Sequence, residues 1–286
     1  MSGAAAVTSN TYYKAKRAAL NVAIHLFLVG VAITCLYPLL WMVSSSLKTQ
    51  QTIFTDISLM PHPAHFENYI DAWRTGGFGR YFLNSIFYTV SVVVGILLIA
   101  SLAGYAFSRF RFRGRTVLFI MFIAAMMIPV PGSFVALSVL LNKLHLRNTP
   151  LGYILCMINV GLPMSIFLIK TFFDTMPREI EDAARIDGCS KIGMWRHVAL
   201  PLARPVLAVV VVFNALNVWN EYLLALIVFH DKNLMPLQRA LMVFRGEFLT
   251  NYPLLMAGLT ITALPIIIVY LAMQKHIVRG VTAVFG

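Results

Sequence analysis

Charged residues are scarce in this chain. They make up 12% of its 286 residues, about half the share that is usual in a soluble domain, whereas 59% of the residues are hydrophobic. So few charges could not cover that much apolar surface in water, which excludes an ordinary soluble protein. The composition therefore predicts an all-α integral membrane protein.

Cysteine is scarce as well, and no pattern of metal ligands is present. The cysteines at positions 35, 156 and 189 have neither CxxC spacing nor the spacing of a metal site. The seven histidines do not cluster at the spacing of metal ligands. We therefore expect no disulfide, no metal and no other cofactor in this chain.

Enzyme motifs are missing too. The sequence has no phosphate-binding loop of the form G-x-x-x-x-G-K-[ST], no nucleophile elbow and no HExxH. No acid, base and nucleophile converge on one predicted face, which argues against a membrane-bound enzyme. The sequence also shows no internal repeat and no soluble domain. We expect that the chain catalyses no reaction.

What the chain has instead is long apolar runs. A bilayer core of about 30 Å needs about 20 residues of apolar helix. The first run follows three basic residues, but it is longer than the apolar part of a signal peptide and no clean cleavage site follows it, so we expect it to be retained. We predict a single transmembrane domain over residues 1–286, with spans at about residues 20–43, 81–107, 116–133, 151–173, 206–229 and 254–273.

The third run contains the sequence "IPVPG" at residues 128–132. Prolines and glycine at this density either end the helix or kink it. If the helix ends there, the following residues form a short helix near the far interface. If it is only kinked, they continue one longer helix. We favour the break.

The distribution of Lys and Arg predicts the orientation. With six crossings, 15 of the basic residues fall on the side of both termini and 8 on the other side. The side richer in Lys and Arg faces the cytoplasm. Both termini are therefore predicted to be cytoplasmic, as is the loop that precedes the fifth span.

That loop holds the densest cluster of charges, at residues 179–205. Pro177 suits the first turn of a helix, and acids such as Asp182 then lie near the positive end of the helix dipole. Glu181 and Arg185 are spaced i,i+4 in the order that favours an ion pair.

Glycine and proline divide the same stretch into two predicted helices. Gly188 can end the first helix in a left-handed cap. A second short helix is predicted over residues 190–197. Leu200 and Pro201 then turn the chain towards the fifth span.

One face of the first helix carries Ile180, Ala183, Ala184 and Asp187, at offsets 0, 3, 4 and 7. One explanation is a helix that lies on the membrane surface. Alanines would bind lipid weakly, however. Small residues flanked by carboxylates suit insertion into the groove of a partner protein, where the charges fix the register. We favour the partner protein.

The same stretch resembles the EAA loop of the permease subunits of ABC importers. That loop has Glu-Ala-Ala, a glycine four residues on, and then an apolar residue, one spacer and Leu-Pro. The matching residues are Asp182, Ala183, Ala184, Gly188, Val198, Leu200 and Pro201. Asp182 departs from the usual Glu, since it keeps the charge but is one methylene shorter.

Further segments carry the resemblance from about residue 84 to the C-terminus. They are "LAGYAFSRFRFRGR", "LRNTPLGYIL", "FFDTMPREIEDAARIDG", "WNEYLLAL" and "RGVTAVFG". Together they are similar to the shorter, six-span permease subunit of maltose-type carbohydrate importers. The resemblance implies a type I ABC importer permease fold.

The resemblance also implies partners. In that family a second permease subunit completes the pathway, two cytoplasmic ATPases bind ATP and Mg, and a solute-binding protein outside the cell delivers a sugar. The EAA loop docks on an ATPase and transmits its movement. The coupling residues carried over to this chain are Glu179, Ile180, Asp182, Ala183, Ala184, Asp187, Gly188, Leu200 and Pro201. The tail at residues 281–286 resembles one that runs between the ATPases, although a frayed terminus is the alternative.

The fifth predicted span carries polar residues that suit a sugar pathway. They are Asn214, Asn217, Trp219, Asn220 and Glu221. Hydrogen bonding between helices is the alternative for each Asn. Glu221 is the only acid inside a predicted span, and a buried acid is often functional in membranes. This leaves an ion-coupled secondary transporter as the alternative function.

The predicted external loop over residues 230–253 mixes charges and aromatics. The resemblance implies that such a loop contacts the solute-binding protein, whereas aromatic anchoring at the membrane interface is the alternative. The candidate contacts are Arg239, Phe244, Arg245 and Phe248.

Overall fold

The structure is a computed structural model. It describes the backbone of residues 3–127, 133–245 and 250–285, and the side chains of Arg17 and of residues 20–127, 133–245 and 250–274. The helices are α1 (Gly3–Ser46), α2 (Glu67–Thr75), α3 (Phe78–Arg109), α4 (Arg115–Met127), α5 (Ser133–Lys143), α6 (Pro150–Thr175), α7 (Glu179–Ile186), α8 (Lys191–Leu202), α9 (Arg204–Asn220), α10 (Leu223–Val228), α11 (Gln238–Met242) and α12 (Tyr252–Phe285).

Four of these helices are long and apolar enough to cross a membrane within the described ranges. They are α1, α3, α6 and α12, and each contains one of the predicted spans. A fifth crossing results if α8 and α9, which bend by 78° at their junction, are counted together. The helices α4 and α5 are apolar but shorter. The total of six spans stays a prediction.

The third predicted span lies over α4. This helix ends at Met127, and α5 begins at Ser133. The predicted break at residues 128–132 therefore lies outside the described residues.

The fifth predicted span is not one continuous helix, which corrects the sequence prediction. The helix α9 ends at Asn220, and Glu221 has extended backbone torsions. The N–H of Leu224 donates to the Glu221 carboxylate at 2.6 Å. An acidic side chain that accepts from the first turn of a helix caps that turn and complements its dipole. Glu221 therefore starts α10 rather than lying inside a longer helix.

The core forms where α3, α6 and α9 pack together. A Cβ atom on Gly104 would lie 2.8 Å from Cγ2 of Ile169, and one on Gly161 would overlap Asn214. Glycine permits this close approach of membrane helices because it has no side chain. These contacts hold the three helices in one bundle, one end of which lies near α7.

At the N-terminal end of α3, the loop after α10 is fastened to this helix by neutral hydrogen bonds. The amide of Asn84 donates to the carbonyl oxygens of Asn233 and Met235 at 2.8 and 2.9 Å. The hydroxyl of Tyr88 donates to the carbonyl oxygen of Leu234 at 2.7 Å. These bonds satisfy loop carbonyls that would otherwise lack partners.

A buried lysine fastens the end of α1 to the loop that follows it. Lys48 is 1% exposed, and its ammonium lies 4.6 Å from the ring centroid of Trp41. It donates to the carbonyl of Asp56 and lies 4.0 Å from the carboxylate of that residue. Hydrogen bonds from Ser58 hold the pKa of the Asp56 carboxyl below its usual value. The buried charge is thereby compensated.

The rest of α1 stands apart from the bundle. Large apolar side chains are exposed all around it, from Leu20 to Val43, whereas Ser44, Ser45 and Ser46 in its last turn are buried. An apolar helix of this length with every face exposed suits lipid or another membrane protein rather than water.

Candidate functional site

The helix α7 begins and ends as the sequence predicts. Its first turn contains three acids, Glu179, Glu181 and Asp182. Gly188 has φ = 81°, so the predicted left-handed cap is confirmed. The N–H of Cys189 donates to the carbonyl of Ala184 at 3.0 Å, as in a Schellman motif.

One face of α7 points away from the bundle. Ile180, Ala183 and Asp187 are exposed, and Ile186 is 86% exposed. Ala184, which was predicted on this face, is half-buried and packs against the core. The outward face is therefore apolar at its centre and acidic at its end.

The opposite face of α7 is held by a buried ion pair. Nε of Arg109 donates to Oε1 of Glu181 at 2.6 Å, and the two side chains are 6% and 8% exposed. Arg109 also donates through Nη2 to the carbonyl oxygen of Met176 at 3.0 Å. The end of α3 thus contacts both α7 and the residue that ends α6.

This pair corrects the predicted partnership of Glu181 with Arg185. Arg185 instead bonds to Asp182 at 3.2 Å, and both side chains are largely exposed. Glu181 points into the bundle. A carboxylate that is buried there needs a positively charged or hydrogen-bonding partner. Arg109 supplies that partner from α3.

The helix α8 is longer than predicted. Ser190 caps it by accepting the N–H of Gly193 at 3.1 Å. A π-helical turn, Met194–Ala199, follows, and the helix continues through Leu200 and Pro201. The predicted turn at Leu200-Pro201 is wrong, because Pro201 stands at the start of an α-helical turn, where its missing N–H costs little. The chain bends by 78° at Ala203 instead.

Two of the predicted pathway residues are packed inside this chain. Asn214 is 1% exposed and donates to Ser165 Oγ at 2.9 Å and to a carbonyl of its own helix at 2.8 Å. Trp219 is buried and donates to the carbonyl of Thr262 at 3.1 Å. Both residues therefore join α9 to neighbouring helices.

Two other predicted pathway residues are exposed. Asn217 and Asn220 are exposed, and they share one face of α9 with the exposed Phe213. The positions follow at i, i+4 and i+7, which is the spacing of one helix face. Contact with a solute stays a prediction, and the structure favours Asn217 and Asn220 for it.

The predicted external contacts also divide. Phe244 is buried and stacks on Phe78 with ring centroids 6.4 Å apart, so it holds the loop onto the bundle. Arg239 is half-buried and Arg245 is exposed. Phe248 lies outside the described residues.

Sequence reasoning did not find Arg109. In the predicted topology it is only one of the 15 basic residues on the side of both termini. The sequence does contain a signal, because the first turn of α7 has three acids and the helix has only one basic residue, Arg185, to pair with them. The predicted orientation also placed Arg109 on the same side of the membrane.

Residues 95–283 match the family described as binding-protein-dependent transport system inner membrane component. The chain is 37% identical over 263 residues to the probable ABC transporter permease protein YurM of Bacillus subtilis, which covers 92% of this chain and 87% of that protein. It is 32% identical over 263 residues to the diacetylchitobiose uptake system permease protein NgcG of Streptomyces coelicolor, with 90% and 86% covered. It is 28% identical over 266 residues to the arabinooligosaccharides transport system permease protein AraQ of B. subtilis, with 92% and 94% covered.

A solved structure shows the same fold. It is a chain of the crystal structure of a bacterial ABC transporter involved in the import of the acidic polysaccharide alginate. The TM-score is 0.79 at 24% identity, over 91% of this chain and 97% of that chain. The predicted all-α membrane fold of the ABC importer permeases is confirmed. This chain belongs to the family of inner membrane components of binding-protein-dependent transport systems.

Proposed function

We propose that this chain is one of two permease subunits of an ATP-driven importer for di- or oligosaccharides. Two of its relatives are named for the uptake of diacetylchitobiose and of arabinooligosaccharides. The proposed place is the bacterial cytoplasmic membrane, with both termini in the cytoplasm. Two ATPase subunits bind ATP and Mg, and a solute-binding protein delivers the sugar from outside.

The outward face of α7 is the observation that carries this proposal. Ile180 and Ile186 are exposed beside the acids Asp182 and Asp187. Exposed isoleucines at the cytoplasmic end of a membrane protein indicate a surface that a partner covers. Ala183 between them allows the backbone of α7 to enter a groove closely. We assign that groove to the ATPase.

A second permease subunit accounts for two other exposed surfaces. The apolar side chains of α1 pack on it or on lipid. The face of α9 with Phe213, Asn217 and Asn220 lines a pathway shared between the two subunits. Amide groups donate and accept hydrogen bonds, and an aromatic ring covers the apolar face of a sugar.

The alternative of an ion-coupled transporter is not supported. Its basis was Glu221 as an isolated acid within a span. The carboxylate of Glu221 accepts the N–H of Leu224 and caps α10, which is a structural role. The named relatives are permeases of ABC and uptake systems.

Uptake into vesicles tests the function. The chain is reconstituted with its partner permease, ATPase and solute-binding protein, and a panel of labelled di- and oligosaccharides is offered. We expect uptake that needs ATP on the side of the vesicle membrane where the ATPase is bound. This uptake should persist when an uncoupler is added. Uptake that is independent of ATP but abolished by the uncoupler would instead support the ion-coupled transporter.

The docking of α7 is tested by Ala183→Arg. Because Ala183 is exposed, the variant keeps the packing of this chain but obstructs the outward face. We expect recovery of the ATPase with the purified permease to fall by about tenfold. Ala64→Arg makes the same change at an exposed alanine of the external loop and serves as the control. Recovery of the ATPase at the wild-type ratio with Ala183→Arg would refute docking at this face.

A further inference from the structure

The contacts of Arg109 connect three helices at the cytoplasmic end of the bundle. Arg109 is the last residue of α3. One guanidinium nitrogen bonds to Glu181 in the first turn of α7, and another bonds to the carbonyl oxygen of Met176 at the end of α6. A single side chain therefore relates the position of α7 to two membrane helices.

These two membrane helices are themselves joined at the same level. Ser108 of α3 donates to the carboxylate of Asp174 of α6 at 2.7 Å, and Lys170, one turn earlier in α6, pairs with that carboxylate at 2.6 Å. One turn deeper, the missing side chain of Gly104 lets α3 approach Ile169 of α6. The ends of α3 and α6 therefore behave as one body.

Burial makes the link between this body and α7 stiff. If α7 moved away by a few ångströms, the ion pair between the carboxylate of Glu181 and the guanidinium of Arg109 would break. Both charges would then be buried with little water to solvate them. Separating buried opposite charges is far less favourable than moving the attached helix with them. The exposed pair of Asp182 and Arg185 imposes no such constraint, because water replaces either partner.

Arginine suits this position for a geometric reason. Its guanidinium is planar and always charged, and its donors point in fixed directions, so it serves two acceptors on different helices at once. A lysine ammonium is a single point donor on a flexible stem. It could keep the charge but not the fixed angle between the two acceptors.

We propose that Arg109 is the positioning residue that makes the α3–α6 pair move with α7. A displacement of α7 by the ATPase then reaches the membrane helices through the ion pair with Glu181. This inference rests on the proposed function, because it needs a partner that moves α7.

The test compares sugar uptake with ATP hydrolysis in the same vesicles. The complete complex is reconstituted with Arg109→Lys, with Glu181→Gln, or with Arg111→Lys as the control. Arg111 is an exposed residue of the loop that follows α3. We expect the number of sugar molecules taken up per ATP to fall by about tenfold with Arg109→Lys, as for the loss of a typical allosteric coupling. Glu181→Gln keeps an acceptor for Arg109, so the number of sugar molecules per ATP should fall less. With Arg111→Lys, this number should equal that of the wild type.

The ratio separates positioning from a merely structural role. A structural defect lowers the amount of assembled complex, and both rates then fall together at a constant ratio. A wild-type ratio with Arg109→Lys, at any level of assembly, would overturn the inference. Failure of the proposed function shows differently, since the wild-type complex itself would then take up no sugar in an ATP-dependent manner.

Discussion

The two ends of α3 are fastened to their surroundings by different chemistry. At its N-terminal end, Asn84 and Tyr88 make neutral hydrogen bonds to the carbonyls of one loop. At its C-terminal end, Arg109 makes a buried ion pair with a helix whose other face is exposed. Neutral bonds to a loop hold it in place. A buried charge pair also resists separation of the two helices, which suits the proposed transmission of movement from α7 to α3.

The largest effect is expected where the exposed helix ends. Gly188→Val places a β-branched residue at φ = 81°, where the side chain clashes with its own backbone. We expect the cap to unwind and ATP-driven uptake to fall by about tenfold or more, as when the coupling between two sites is lost. Uptake by reconstituted vesicles measures this.

Gly114→Val is the matched control for this change. Gly114 has φ = 83°, and neither glycine has an atom within 4 Å of the position of an added Cβ. The backbone strain is therefore alike, but Gly114 lies in the loop between α3 and α4. Equal losses of uptake per assembled complex in the two variants would show that strain alone, and not the cap of α7, is responsible.

The buried pair should dominate stability at the C-terminal end of α3. Glu181→Ala leaves the guanidinium of Arg109 buried without its carboxylate, which typically lowers the free energy of unfolding by about 3–5 kcal/mol. Asp182→Ala removes a carboxylate from the exposed pair, and we expect less than about 1 kcal/mol. Denaturation of the purified permease in detergent measures both. Similar losses for the two variants would contradict the contrast between buried and exposed charges.

The neutral contacts at the N-terminal end of α3 should contribute less to stability. Asn84→Ala removes two hydrogen bonds and leaves two loop carbonyls without this donor, so we expect a loss of about 1–2 kcal/mol in the same denaturation assay. Asn159→Ala, at an exposed asparagine of α6, should change the stability little. A loss for Asn84→Ala as large as that for Glu181→Ala would remove the proposed difference between the two ends.

The smallest effect is expected on the external surface. Arg245 is exposed, so Arg245→Ala should leave the fold unchanged. If it contacts the solute-binding protein, the concentration of that protein needed for half-maximal ATP hydrolysis should rise by about two- to fivefold, as for an exposed charge pair. Lys232→Ala, another exposed basic residue of the external loops, is the comparison. An unchanged value for Arg245→Ala would exclude Arg245 from the contact.

Local features of α7 could be predicted because they depend on neighbouring residues. The acids of its first turn and the cap at Gly188 follow from the helix dipole and from the conformational freedom of glycine. The partner of Glu181 could not be predicted in this way. Arg185 lies one helical turn further along α7, but Arg109 is the residue that the packing of α3 against α6 brings to Glu181.

The predicted pathway residues and the helix break at Glu221 also depend on contacts that the sequence pattern does not reveal. Asn214, Asn217 and Asn220 recur every three residues, but this spacing does not tell which of them faces a neighbouring helix. The structure places Asn214 against Ser165 and leaves the other two exposed. Glu221 belongs to an apolar run that is long enough for a continuous helix, and the break there appears only with the cap it makes to Leu224.

The sequence by itself determined the membrane class, the apolar helices, the charged stretch over residues 179–205 and the left-handed cap. Each depends on composition or on residues within one or two helical turns. Only the tertiary structure decided which charge holds α7, which asparagines are covered and where the chain bends into α9. Those outcomes depend on contacts between residues far apart in the chain, because a buried charge or amide is satisfied by whichever group packing brings within hydrogen-bond distance.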